Sequence, residues 1–474
     1  MSSITVLDIV IIVLYIVAIG MVGFLSSRKV KNSSDYYVAG RTLSPFVLLA
    51  TVCASIIGGS ALIGRGGYAY TGGMVSVAIA APYMIGMFLF SLFSKKISVF
   101  GKKYNINSLP EFLGYRFGKP VQFFAAAMVA YTSIATVAAQ ISATGTIVSA
   151  IGGDNVSYFV GALLATIVFT VYTTSSGLFG VVYTDVIQFI VLTVFVYLLL
   201  PFRAVGEVGG FVELFNKVDP QMWKLNLTPE IITLIVTNFV TVIAGAELWQ
   251  RAFAAKDGKS AFKGQFGGTV VYAVTIVITM FVGVCAAVLF PTLIQDYGTA
   301  DYAIPVMIIK ILPAGLTGLA LAGVISVMMS SADTYLLCAS QSIVLDICQV
   351  VKPDLSEKRS MMISRISSVV FGACSFLIAM FFTSAYDALM FGWTFYAATL
   401  GVPCLVSLIW KKATTPGMLA GMGTGFAVSI VWNILGSPFG IGSTIIGVVL
   451  NAIVLFTVSL LTYKKYPSKV CTQD

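Results

Sequence analysis

Long apolar runs constrain the fold of this chain more than any other feature. They have about 18–25 residues each, long enough to cross a bilayer as helices, and they recur along most of the 474 residues. We predict thirteen spans, with approximate bounds 6–25, 46–70, 74–94, 121–150, 156–175, 179–201, 229–250, 267–290, 313–345, 363–383, 386–410, 416–435 and 441–463.

The composition indicates the same class of protein. Apolar residues make up 58% of the chain and charged residues only 10%. A water-soluble domain of this size cannot bury so many apolar side chains, and no polar stretch is long enough to form a separate domain. We therefore predict an all-α polytopic membrane protein, with residues 1–474 as a single membrane unit and the first apolar run retained as a span.

The basic residues indicate how the spans are oriented. Of the 28 Lys and Arg residues, 23 follow spans one, three, seven, nine, eleven and thirteen; Arg251 is counted among those after span seven. The other side holds Arg203, Lys217, Lys224 and Lys310, and Arg65 lies inside a span. By the positive-inside rule the N-terminus is outside and the C-terminus cytoplasmic. The net charge of +9 thus reflects topology, not nucleic-acid binding.

Several function classes lack the residues they need. The chain has no histidine, which excludes a histidine metal site or proton relay, and its seven cysteines lie mostly in apolar segments as small fillers. No Walker A sequence is present, so ATP is not the energy source. No nucleophile–base pair indicates an enzyme. A channel would need a repeated filter sequence, and a sensor would need an output domain.

The second span combines a glycine cluster with one buried charge. Each glycine costs a helix up to about 1 kcal/mol relative to alanine, so the segment predicts either an unwound hinge whose carbonyls bind a cation or close packing through small residues. Arg65 favours a site, because a charge inside a span is costly. The glycines are Gly58, Gly59, Gly64, Gly66 and Gly67.

The ninth span carries a stripe of oxygen-bearing side chains. Ser330 and Ser331 lie three and four residues after Val327, and Asp333 and Thr334 stand in the same relation to Ser330. This spacing places them on one helix face. Hydroxyl and carbonyl oxygens suit Na⁺, although hydroxyls also bond back to their own helix.

Two further carboxylates fall inside predicted spans. Asp185 lies more than two turns beyond Thr173, too far along the helix to be a simple helix-start residue, so we expect a buried cation partner for it. Glu247 lies near the end of the seventh span.

Five motifs in order resemble the sodium:solute symporter family, and the resemblance runs over about residues 34–420. Ser176 departs from the glycine usual in the third motif. The motifs are Asp35–Arg41, Leu109–Gly118, Tyr172–Gln188, Trp249–Arg251 with Ala254–Lys256, and Met329–Ser331.

The resemblance implies a LeuT-like fold with two inverted five-helix repeats, about 46–201 and 229–410. Helices 6–25, 416–435 and 441–463 would flank them. The first helix of each repeat would be broken, in the second repeat within Thr237–Glu247, where the signal is weaker.

The resemblance also implies Na⁺ as the coupling ion. The first Na⁺ would be held by carbonyls of Ala54, Ile57 and Val327 and by the hydroxyls of Ser330 and Ser331. A second Na⁺ would involve Asp185, Asp333 and Thr334, together with Ser330. Asp333 departs from the family's hydroxyl pattern, and a proton on it is the competing interpretation.

The solute pocket is expected between the two breaks, near the bilayer midplane. Arg65 can hold a carboxylate, pair with Glu247 or cap a gate. No aromatic residue occurs from Thr51 to Gly67, which disfavours choline. The lining candidates are Ser55, Ser60, Arg65, Gln140, Asn238, Thr241, Trp393 and Tyr396.

These observations predict Na⁺-coupled symport of a small organic solute, a carboxylate or zwitterion, by alternating access in the plasma membrane. Proton-coupled or uncoupled transport, or a sugar- or amine-specific member of the same family, are the alternatives.

Overall fold

The computed structural model describes residues 4–27, 33–382 and 384–468, without the side chains of Ser27, Ser33, Ser60, Asp154, Ser175 and Ser176. The part of the chain it describes is helical and contains no β-strand. The first eleven helices are α1 (Val6–Ser27), α2 (Ser33–Val38), α3 (Pro45–Ile56), α4 (Arg65–Gly72), α5 (Val75–Tyr104), α6 (Leu109–Phe117), α7 (Lys119–Gly152), α8 (Tyr158–Leu192), α9 (Leu200–Val208), α10 (Phe211–Lys217) and α11 (Pro229–Ile243).

The other eleven are α12 (Ala246–Ala254), α13 (Gly258–Leu289), α14 (Leu293–Tyr297), α15 (Ala303–Ile311), α16 (Leu316–Gln341), α17 (Gln349–Val351), α18 (Glu357–Ala379), α19 (Ala385–Tyr396), α20 (Val402–Ile409), α21 (Thr415–Ile434) and α22 (Ser443–Thr462).

Eleven helices in the described ranges are long and apolar enough to cross a membrane. The bent pair formed by α3 and Ala61–Gly72 raises that number to twelve, and Tyr158–Thr174 is a shorter apolar helix. Length and composition therefore do not confirm the predicted count of thirteen. The longest loops carry short helices, α10 and α15 among them.

The second predicted span is broken at its glycines. α3 ends at Ile56, the chain passes Ile57 and Gly58 without helical structure, and a π-helical turn over Ser60–Gly64 leads into α4. The two halves meet at 64°. A break at this point leaves backbone groups of both half-helices without partners from their own helix.

The seventh predicted span is also broken, although its sequence signals this weakly. α11 ends at Ile243 and α12 begins at Ala246, with Gly245 between them at φ −54° and ψ 99°. The break falls inside Thr237–Glu247, where we expected it.

The predicted fifth and sixth spans are two helical segments that meet at a kink within α8. α8 bends at Gly177, whose φ of 59° and ψ of 179° lie outside the helical region and suit glycine. A π-helical segment, Thr193–Leu199, then continues the helix into α9.

α16 lies at the centre of the molecule, packed against α7, α8, α3 and α1. Of its most apolar membrane-length window, 89% of residues are buried. Asp8 of α1 caps this helix, because its Oδ1 accepts hydrogen bonds from the N–H groups of Gly315 and Gly318 at 2.7 and 2.8 Å. The polar stripe of the ninth span is therefore held inside protein and away from lipid.

Candidate functional site

α16 meets the broken end of α3 through one hydroxyl. Ser331 Oγ lies 3.0 Å from the carbonyl oxygen of Ser55 and 3.3 Å from that of Ala54, and it is fully buried. Ile57, where α3 has ended, and Val327, one turn before Ser331 on α16, are buried as well. Of the five ligands expected for the first Na⁺, the structure thus brings the Ser331 hydroxyl and the Ala54 carbonyl together.

Asp185 of α8 contacts side chains of three other helices, α3, α12 and α16. Its Oδ1 accepts a hydrogen bond of 2.5 Å from Ser330 Oγ of α16, and its Oδ2 accepts one from Thr51 Oγ1 of α3. Arg251 Nη2 of α12 lies 3.7 Å from Oδ2. Asp185 therefore has the buried cation partner that its position in the sequence predicted.

Arg251 does not lie in a cytoplasmic loop, and counting it there was wrong. Its side chain is 0% exposed and donates hydrogen bonds to the carbonyl of Thr51 at 3.2 Å and to Thr334 Oγ1 at 2.8 Å. It also donates to Ser55 Oγ. The hydropathy pattern ends the span at residue 250 because it treats every arginine as polar; here the guanidinium is paired inside the protein.

Asp333 contacts a different hydroxyl from those that Asp185 contacts. Its Oδ1 accepts a hydrogen bond of 2.5 Å from Thr173 Oγ1 of α8, and its Oδ2 is buried without a partner. Thr334, the next residue, lies 3.2 Å from Ser55 Oγ and accepts from Arg251. The three residues expected at a second cation site are thus neighbours, but Asp185 and Asp333 contact different hydroxyls.

A cavity lies beside the break in the second span, between that segment and α5, α7, α16 and α19. Four of the predicted solute residues line it, and its volume of about 10 Å³ leaves room for about one water molecule. The pocket is therefore nearly closed in this conformation. It is lined by Ser55, Ile56, Gly58, Ala61, Arg65, Tyr83, Thr136, Gln140, Tyr335, Leu389 and Trp393.

Arg65 is a buried cation without an acidic partner. Its guanidinium donates to the Tyr272 hydroxyl and lies 5.2 Å from the centroid of that ring, while Nε is buried without a partner. Within the described residues no carboxylate comes within 4 Å of it. Pairing with Glu247 is not observed; that carboxylate instead lies 3.5 Å from the Tyr83 hydroxyl.

Aromatic rings line the pocket from other helices. Tyr83 of α5 stacks on Trp393 of α19 with centroids 5.4 Å apart and planes at 12°, and it contacts Tyr272 of α13 at 5.5 Å. Tyr335 of α16 lines the same cavity. The lack of aromatic residues from Thr51 to Gly67 therefore does not disfavour choline, because these rings come from elsewhere in the chain.

Three other solute candidates do not line this cavity. Asn238 donates to the Tyr386 hydroxyl at 3.2 Å, and Thr241 donates to the carbonyl of Thr237 in its own helix at 2.7 Å. Tyr396 donates to the carbonyl of Ala244, at the second break, at 2.6 Å. The side chain of Ser60 lies outside the described part of the structure.

The glycines of the broken segment are also tightly packed. A Cβ on Gly58 would lie 2.6 Å from Ser331 Oγ, and one on Gly59 would lie 2.6 Å from Ala143 Cβ. Both sequence interpretations of the cluster therefore apply, since the segment is unwound and closely surrounded.

Two broken helices around a buried polar site define a secondary transporter of the inverted-repeat type. The model of the sodium:solute symporter family matches residues 36–425, and the chain belongs to that family. It is an integral membrane protein of Na⁺–solute symport, and Na⁺ is its coupling ion.

Curated relatives cover nearly the whole chain. The osmoregulated proline transporter OpuE of Bacillus subtilis is 25% identical over 475 residues, covering 96% of this chain and 94% of that protein. The sodium/pantothenate symporter of Escherichia coli is 26% identical over 449 residues, covering 89% and 90%. The relatives named here are transporters of different solutes.

A solved structure shares the fold. The substrate-bound outward-open state of a Na⁺-coupled sialic acid symporter has a TM-score of 0.83 and 20% identity, covering 98% of this chain and 99% of that one. This similarity confirms the expected all-α, LeuT-like fold.

Proposed function

We propose that this symporter carries a small organic solute with a carboxylate group, an anion or a zwitterion, and that Arg65 binds the carboxylate. The proposal rests on the Arg65 guanidinium, which has no acidic partner among the described residues. An isolated buried charge costs several kcal/mol, and a planar guanidinium matches a carboxylate through two parallel hydrogen bonds. Gln140 and Ser55, which line the same cavity, supply polar groups beside it.

The first Na⁺ would bind between α3 and α16. Carbonyls of Ala54, Ile57 and Val327 and the hydroxyls of Ser330 and Ser331 are its proposed ligands. Ser331 already contacts the end of α3 in the described conformation. Na⁺ at this point would tie the two helices together and stabilise the conformation that receives the solute, because a ligand shifts a conformational equilibrium toward the state that it binds better.

A second cation would bind at Asp333. Asp185 already has Arg251 as its cationic partner, whereas Asp333 Oδ2 has no partner among the described atoms. Thr334 and Ser330 lie on the same helix. The cation bound there would be Na⁺ or a proton. The dependence of uptake on Na⁺ concentration separates the two, because coupling to two Na⁺ ions gives a Hill slope above one.

We further propose a plasma-membrane location with the N-terminus outside. The basic loops support this orientation. With the solute and Na⁺ bound, rocking of one helix bundle against the other would expose the site to the cytoplasm, as in other transporters with broken helices.

An amine-carrying solute is the second candidate. Tyr83 and Trp393 stack at the edge of the cavity and present ring faces that attract cations. A zwitterion would use these rings and Arg65 together, whereas a simple amine would use the rings alone.

Thermal unfolding of the purified protein tests the function. Carboxylates, zwitterions, amines and sugars are added in NaCl and, separately, in KCl, since ligands that bind the folded state raise the unfolding temperature. We expect a stabilising carboxylate or zwitterion in Na⁺ only, and no shift in the Arg65→Gln variant. Arg203→Gln, at an exposed arginine, is the matched control. A shift that persists in Arg65→Gln would contradict the carboxylate role.

A further inference from the structure

Asp346 is a buried carboxylate that the transport site does not use. It lies in the π-helical segment Ser342–Cys348, directly after α16, and is 0% exposed. Its Oδ1 accepts hydrogen bonds from Ser108 Oγ at 2.6 Å and from Gln122 Nε2 at 3.2 Å. Its Oδ2 is buried and has no hydrogen-bond partner.

No basic side chain balances this carboxylate. Over the described ranges, no Lys or Arg nitrogen lies within 4 Å of Asp346. Glu111 of α6 instead adds a second negative charge to its surroundings. An ionised carboxylate inside a membrane protein needs a counter-charge, because the low dielectric does not screen it.

A second hydroxyl lies one helical turn before Asp346. Ser342 begins the π-helical segment, four residues before Asp346, and both residues are buried. π-helical turns are rare and occur frequently at functional sites.

The donor set selects the class of cation. The described residues contain no group of three His, Cys, Asp or Glu side chains suited to a transition metal. A single carboxylate with hydroxyl oxygens provides hard oxygen ligands that carry only one negative charge. It therefore suits a monovalent ion such as Na⁺.

We propose that Asp346, Ser342 and Ser108 form an additional Na⁺ site, separate from the one between α3 and α16. It lies fifteen residues beyond Ser331, about 20 Å along the helix, toward the loop that contains Lys352 and Lys358. Given the proposed orientation and function, this is the cytoplasmic side, so the site would receive Na⁺ as it leaves the transport site.

Equilibrium binding of ²²Na⁺ to the detergent-purified full chain tests the site without any solute. We expect Asp346→Asn to lose about one bound Na⁺ per protein relative to wild type. Ser342→Ala, a milder change, should weaken the same class of sites about tenfold. Asp354→Asn is the matched control, because Asp354 is exposed in the loop just after the site.

Ser331→Ala separates this inference from the proposed function. If Ser331→Ala loses Na⁺ and Asp346→Asn does not, the new site is refuted and the transport site stands; the reverse result refutes the transport site alone. Equal Na⁺ binding by Asp346→Asn and Asp354→Asn would mean that the Asp346 carboxyl binds a proton and not Na⁺. A monodisperse size-exclusion profile shows that each variant is folded. If Asp346→Asn does not fold, the Na⁺ binding of Ser342→Ala decides whether the additional site exists.

Discussion

Gln140 Oε1 accepts a hydrogen bond of 2.6 Å from the backbone N–H of Gly59, the first helical residue after the break in the second span. The N–H groups at a helix start have no partner in their own helix, so α7 supplies one from outside. Gln140 also lines the proposed solute cavity. The same side chain therefore holds the half-helix in place and lines the cavity next to it.

Replacing Gln140 with Leu should weaken both stability and uptake. The change leaves the buried Gly59 N–H without an acceptor, which costs about 1–3 kcal/mol. We expect a lower unfolding temperature and a higher solute KM. Gln295→Leu, at an exposed glutamine, should change neither; a Gln140→Leu protein with wild-type KM would contradict the role in the pocket.

Removing the hydroxyls of the first Na⁺ site should raise the Na⁺ requirement. Ser330→Ala and Ser331→Ala each delete one proposed ligand, and we expect the half-saturating Na⁺ concentration of uptake to rise about tenfold, the effect of losing about 1.4 kcal/mol of binding. Ser340→Ala is the control, because Ser340 is buried on the same helix and donates to the carbonyl of Leu337 in that helix at 3.0 Å. Unchanged Na⁺ dependence in both variants would refute the site.

Breaking the Arg251–Asp185 pair should destabilise the protein strongly. Arg251→Gln leaves Asp185 as an uncompensated buried charge, at a cost of about 3–5 kcal/mol. We expect little folded protein in membranes from this variant, and partial recovery in the double variant with Asp185→Asn. Thermal unfolding and size-exclusion chromatography give the readout; no recovery in the double variant would show that Arg251 acts mainly through its other hydrogen bonds.

Asp301 should make stability depend on pH. It lies between α14 and α15, outside the membrane spans, and accepts a hydrogen bond of 2.9 Å from the N–H of Ala385. Burial, with repulsion from Asp387, raises the pKa of Asp301 to about 6. The folded protein thus holds this proton more tightly than the unfolded chain does, so this contribution to stability is present at pH 4 and is lost as the pH rises through 6.

The measurement is the unfolding temperature between pH 4 and pH 7. Asp301→Asn should flatten the decline seen in wild type, whereas Asp296→Asn, at an exposed aspartate, should retain it. An identical profile for wild type and Asp301→Asn would mean that other groups set the pH dependence.

Cysteine labelling tests the orientation. Single cysteines at Lys217 and Lys358, in a background without the native cysteines, are treated with a membrane-impermeant maleimide. Lys217→Cys should react in intact cells, and Lys358→Cys only after permeabilisation, because the basic loops are expected to be cytoplasmic. The opposite pattern would invert the proposed topology.

Local features of the sequence were sufficient to predict the hinge. The break falls at Ile57 and Gly58, at the start of the glycine cluster, since the cost of glycine in a helix depends on neighbouring residues alone. A cationic partner for Asp185 was expected, because an ionised group in a span needs one, but the sequence did not indicate which residue it is. The pairing of Ser331 with the end of α3 was suggested by the family resemblance, not by spacing.

Contacts between distant segments could not be predicted. Arg251 follows an apolar run and was counted as part of a loop, although its partner Asp185 lies 66 positions earlier in the chain. The rings of Tyr83 and Trp393 meet across more than 300 residues. Periodicity places residues on a helix face but does not state which helix that face meets.

The tight packing around the broken glycine segment bears on how such a protein can acquire new solutes. A Cβ at Gly58, Gly59 or Gly67 would lie within 3.0 Å of a neighbouring atom, so these positions resist substitution. Evolution of specificity is thereby directed to lining residues outside the broken segment, such as Thr136 of α7 and Leu389 and Trp393 of α19. Selection can thus change which solute is carried while the broken glycine segment stays the same.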